Sequence, residues 1–174
     1  MTILLLPFLA LAVVGLVLSL TAHVAALFGQ QQPLGDAAWA LHIGIFVVWL
    51  PAVLVSNRLV KDFKYKDMWK AALRGCPPWM RWLTSAFFVY AIVNFIIFAV
   101  LAPGGADSGA NAPPIVFRGF SGHWMAFYSA AAAVLYSAIV VAKRDPARRC
   151  PNGHPVSPSA VFCEVCGARV GELP

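Results

Sequence analysis

Charge is what this chain has least of. Charged residues fill only 11% of its 174 positions, and only seven of those are acidic. A soluble domain carries roughly 25%, so the shortfall excludes an ordinary water-soluble globule. Four long apolar blocks have no Asp, Glu, Lys or Arg in their middles. Proton-coupled pumps and many ion-coupled transporters depend on such groups, so those classes lose their usual chemistry here. There is no Cys-x-x-Cys-His for c-type haem attachment, no nucleotide-binding glycine motif and no internal repeat. No Ser/His/Asp arrangement has a well-placed acid, because the acids fall mostly on the side opposite the apolar-block histidines.

What fills the space is hydrocarbon: 60% of the residues are hydrophobic. Crossing a bilayer takes about 20 apolar residues per helix. Four spans are therefore expected, at about 3–28, 37–55, 83–102 and 120–142. In lipid each must be helical to satisfy its own backbone groups. The expected fold class is an all-α membrane protein, a four-transmembrane-helix bundle over 1–145, followed by a small C-terminal Cys- and His-bearing tail over 146–174. The first block has no basic leader and is too long for a signal-peptide core, which marks it as an uncleaved helix. Asp36 is placed to cap span two, and Pro51 to kink it.

The few charges report topology. Of 13 Lys and Arg, seven lie between spans two and three or at that boundary and five follow span four, leaving only Arg118 on the other side. Short basic loops stay cytoplasmic. Both termini are expected inside a bacterial inner membrane, with the 30–36 turn and the 103–119 loop outside. The net charge of +6 is mostly this signal, and a nucleic-acid partner is not expected. The 57–80 segment has Leu59, Phe63, Trp69 and Leu73 on one face, with Lys66 and Lys70 intruding, and is expected to lie on the membrane surface as a helix with snorkelling lysines. Trp39 and Trp124 are assigned to the outer aromatic belt and Trp69, Trp79 and Trp82 to the inner one. Ser129, Ala133 and Ser137 form a small-residue stripe on span four, suited to packing within the bundle or to a homo-oligomer face.

The strongest chemical motif is Cys150-x3-His154-x8-Cys163-x2-Cys166. Two close pairs of soft ligands on two turns suit one tetrahedral zinc. The tail is too short to fold on buried apolar area, so metal must supply the folding energy. With four protein ligands, no position is left for a catalytic water. Cys150-Pro151, Gly153-His154, Pro158, Phe162-Cys163 and Cys166-Gly167 together resemble the short zinc-ribbon modules attached to many bacterial proteins. Those usually open with a two-residue Cys pair, from which Cys-x3-His departs. The resemblance covers about the last seventh of the chain. It implies a structural zinc supporting protein or nucleic-acid contacts and identifies no reaction.

Three further histidines, His23, His42 and His123, fall on spans one, two and four at similar depth near the outer leaflet. Such a set could ligate haem b or another metal, serve a quinone site, or make interhelical hydrogen bonds. Asn94, mid-span, is read as an interhelical hydrogen bond. Cys76, in a proline turn before span three, is either a small interfacial residue or, more sharply, a reactive thiol or a substitute zinc ligand. The functional expectation is a non-enzymatic membrane accessory, scaffold or regulatory protein whose cytoplasmic zinc ribbon binds a cytoplasmic or membrane protein partner. The alternative is a small electron-transfer subunit with a histidine-ligated haem or metal.

Overall fold

The computed structural model describes residues 2–30, 34–61, 63–101, 112–144, 149–156 and 160–170. Residues 31–33 of the 30–36 connection, 103–111 of the 103–119 connection with Asp107, the 145/146 boundary and Pro158 lie outside them. The chain forms two compact units, Met1–Ile139 and Val140–Pro174.

All regular secondary structure among the described residues of the first unit is helical. A 3-10 turn over Thr2–Leu5 leads into α1 (Leu6–Leu27). A second, Gly35–Trp39, leads into α2 (Ala40–Val60). A short α3 (Met68–Ala72) precedes α4 (Pro78–Leu101) and α5 (Pro114–Arg144). Four stretches, Ile3–Leu27, Gly35–Val60, Pro78–Leu101 and Pro114–Lys143, are long and apolar enough to cross a membrane. The last two begin five and six residues before the expected limits of 83 and 120. Pro78 and Pro114 explain this: proline at the first helical position surrenders only an N–H that would be unpaired anyway.

The helices differ in what surrounds them. The α5 span is the least apolar of the four, yet 72% of its window is buried inside the protein, against 17% for α1, the most apolar. Lipid asks only that outward faces be hydrocarbon, whereas a central helix must fit its neighbours closely. Ala126 and Ala130–Ala133 are accordingly buried, as are Ser129 and Ser137. The small-residue stripe is thus spent within the bundle. Gly75 shows how tight the approach is: a Cβ there would lie 2.5 Å from the Ser137 carbonyl. Instead the Gly75 N–H donates to Ser137 Oγ at 3.0 Å, and the Cys76 thiol donates to the Ala133 carbonyl at 3.1 Å. Burial pushes the Cys76 thiol up to about 11, with Arg81 opposing weakly. Cys76 is therefore a packing residue, held as a neutral thiol.

Three local expectations change. Asp36 makes no cap to α2; it sits in the first turn of the preceding 3-10 segment, where its charge still favours the N-terminal dipole. The surface helix over 57–80 shrinks to five residues, with Leu73 buried and Phe63 and Trp69 exposed. Arg74 breaks that stretch by donating to the Leu59 carbonyl at 2.7 Å while its guanidinium lies 5.4 Å over the Phe63 ring. Trp124 is no belt residue. It is fully buried and its indole N–H donates to His42 Nδ1 at 3.1 Å, which removes the reason to sit at the interface. Trp69, Trp79 and Trp82 are exposed on the opposite, basic side.

Candidate metal centre

In the second unit two tight turns face each other. Each is closed by a single antiparallel bridge, Arg149 with Pro155 and Phe162 with Arg169. No longer strand occurs among the described residues. In the first turn the Cys150 N–H donates to the His154 carbonyl and the Gly153 N–H to the Cys150 carbonyl. In the second, Cys163 bonds Ala168 and Gly167 bonds Cys163 in the same style. Gly153 and Gly167 have φ of 81° and 69°, a left-handed conformation that a side chain would oppose. Gly153 precedes its ligand and Gly167 follows its own. The first turn therefore reaches its second donor one residue later than the Cys163–Cys166 turn does. The wider Cys-x3-His spacing is what that geometry requires.

The result is convergence. One ligand atom from each of Cys150, His154, Cys163 and Cys166 lies within 4.8 Å of all the others. Cys150 Sγ is 3.7 Å from Cys166 Sγ and 3.6 Å from His154 Nδ1. A tetrahedron with Zn–S bonds of about 2.3 Å has edges of about 3.8 Å, so the donors fit a single four-coordinate ion. The Ala168 N–H, then the Asn152 amide and His154, lower the Cys166 thiol to about 6. The Asn152 amide nitrogen lies 3.4 Å from Cys166 Sγ, a supporting contact that no sequence pattern announced. Around the ligands the described hydrophobic cluster is only Cys150, Cys163 and Val170, with Val156 against it. Val161, Phe162 and Val165 face outward.

The bundle histidines are placed differently. His23 is buried, with Nδ1 2.8 Å from Ser121 Oγ and Nε2 2.7 Å from Tyr90 Oη. Ser121 donates its hydroxyl to the Phe117 carbonyl, so it accepts from His23 Nδ1–H, and Tyr90 donates to Nε2. Both nitrogens of His23 are committed. His42 and His123 come together, their rings stacked with centroids 5.6 Å apart. An indole N–H only donates, so Trp124 fixes His42 with its proton on Nε2. Neither His23 nor His42 presents a free lone pair to an ion. Among the described residues the Cys/His quartet is the one group of three or more metal-binding side chains. Asn94, fully buried, accepts from Arg118 Nε at 2.9 Å and donates to the Tyr90 carbonyl. Arg118, expected in a loop, is thereby drawn into α5 and pinned against α4. Tyr90, Ser121 and Arg118 were not legible as partners, because nothing along the chain signals which helix faces meet.

Comparison with known protein families, curated proteins and solved structures found no match.

Proposed function

We propose that this protein is a non-enzymatic accessory, scaffold or regulatory protein of a bacterial inner membrane, whose C-terminal zinc ribbon recruits a protein partner on the cytoplasmic side. The observation that carries the reading is the closed quartet of Cys150, His154, Cys163 and Cys166. Four protein ligands leave zinc no open position for water or substrate, which is the arrangement of a structural site. Bound there, zinc would supply folding energy to a segment with almost no core. Val161, Phe162 and Val165, left on the outside of that small unit, are the natural contact residues. The basic loops support a cytoplasmic position for this end and for both termini.

Two measurements test the proposal together. Protein purified without chelator should contain one zinc per chain. In cells, site-specific crosslinkers at Val161 and Val165 should yield one discrete adduct that disappears in the Cys163→Ser variant. Zinc-free protein defeats the metal assignment, and adducts unchanged by Cys163→Ser defeat the recruiting role. The electron-transfer alternative would require His23 or His42 to give up a hydrogen bond that now occupies its lone pair.

A further inference from the structure

Between α3 and the first turns of α4 lies an open groove of about 410 Å³. On the α4 side Pro78, Arg81, Trp82 and Ser85 line it. Their spacing of i, i+3, i+4 and i+7 makes one helical stripe. Trp69 and Lys70 line the α3 side. The groove sits where a bilayer surface would meet the basic side of the bundle, and Trp82 is exposed to 78%.

Its charges are held ready and are poorly neutralised. Arg81 donates Nε to the Cys76 carbonyl and Nη2 to the Arg74 carbonyl, both at 3.0 Å. That clamps the guanidinium on the groove's rim with two of its five donors used. Lys70 has one ion pair among the described residues, with Asp67 at 3.8 Å, and its own side chain is 84% exposed. A pair so exposed holds little. An immobilised guanidinium, an exposed and weakly paired ammonium and two flanking indoles match a phosphate that carries acyl chains. The cations meet the headgroup, and the rings lie at the level where headgroup gives way to hydrocarbon.

We infer that this groove is a binding site for one anionic phospholipid, its phosphate held by Arg81 and Lys70 and its upper chains flanked by Trp69 and Trp82. The site is independent of the metal centre, and its failure would leave the zinc reading untouched.

The test uses the full-length protein in detergent, with phosphatidylglycerol or phosphatidylcholine added and retained lipid counted by native mass spectrometry. One phosphatidylglycerol per chain should survive under conditions that strip phosphatidylcholine. Lys70→Gln should weaken retention about fivefold, as expected for one basic residue near an anionic surface. Arg81→Gln should weaken it about tenfold through its lost charge-assisted hydrogen bonds. Lys64→Gln, which removes an equal charge outside the groove, should retain lipid as the parent does. Arg81 also braces two carbonyls, so Lys70→Gln decides the matter alone if Arg81→Gln fails to fold. Equal retention of the two lipids would overturn the site. So would a loss in Lys64→Gln matching that in Lys70→Gln, which would reduce the effect to diffuse charge. Displacement by inorganic phosphate at matched concentration would overturn it in favour of a site for free phosphate.

Discussion

The bundle and the tail are made of one continuous chain and hold their shapes by opposite means. In α5, nearly every residue through the central turns is buried, and Trp124, Ala131, Leu135 and Ser137 have essentially no exposure. The tail buries Cys150, Cys163 and Val170 and little else among its described residues. The first is stable because many small packing contacts add. The second has too few to repay its lost conformational freedom, at about 1–2 kcal/mol per ordered residue. A single ion on the Cys/His quartet, as proposed above, would make up the difference. Cooperativity should therefore break cleanly between the two: damage to one should leave the other standing.

Metal removal is the severest test. Structural zinc in small modules binds with roughly 10–16 kcal/mol. Chelation, or Cys163→Ser, should abolish the ordered NMR shifts of residues 149–170 while the helical circular dichroism of the bundle stays intact. The reverse experiment is Trp124→Ala. Removing a fully buried indole should cost about 3–5 kcal/mol of bundle stability and leave zinc content at one per chain. Trp82→Ala, at an exposed ring, should stay within about 0.5 kcal/mol; thermal unfolding in detergent separates the two tryptophans. If Trp124→Ala released zinc, the two regions would not be independent.

Smaller effects probe the polar contacts of the bundle. His23→Ala leaves Tyr90 and Ser121 facing a gap and should cost about 1–3 kcal/mol. Tyr90→Phe removes one interhelical hydrogen bond and should cost about 0.6 kcal/mol. A haem or a second metal on His23 would instead make the alanine variant lose an absorption band or a metal ion. The smallest effect concerns Cys76. Its thiol, raised to about 11 by burial, stays protonated through neutral pH, and a protonated thiol is a poor nucleophile. Maleimide at pH 7.5 should leave Cys76 unmodified in the folded protein and label it after denaturation; Cys76→Ala should leave the fold unchanged.

Much of this was legible along the chain. Four spans, an all-helical class and the metal quartet follow from rules that act over a few residues: a bilayer's thickness sets span length, and metal ligands on two turns announce themselves by spacing. Span limits were less so, since Pro78 and Pro114 start their helices ahead of the most apolar stretches, where hydropathy has stopped reporting. The three histidines show the limit best. Equal depth on spans one, two and four was compatible with a common cluster and equally with separate interhelical hydrogen bonds. Depth fixes only one coordinate, however, and rotation of each helix about its axis fixes the rest.

By itself, then, the sequence determined that four helices are long and apolar enough to cross a membrane and which four side chains can close on one ion, because each depends on composition or on spacing within a short segment. Only the tertiary structure decided that α5, the least apolar span, is the central one. It also decided that His42 stacks on His123 while His23 bonds Ser121 and Tyr90, and that Arg118 reaches Asn94. These are contacts between residues up to 98 positions apart. They depend on how each helix turns about its own axis, and between helices that are apolar on nearly every side that rotation is chosen by shape and a few hydrogen bonds, not by any pattern readable along the chain.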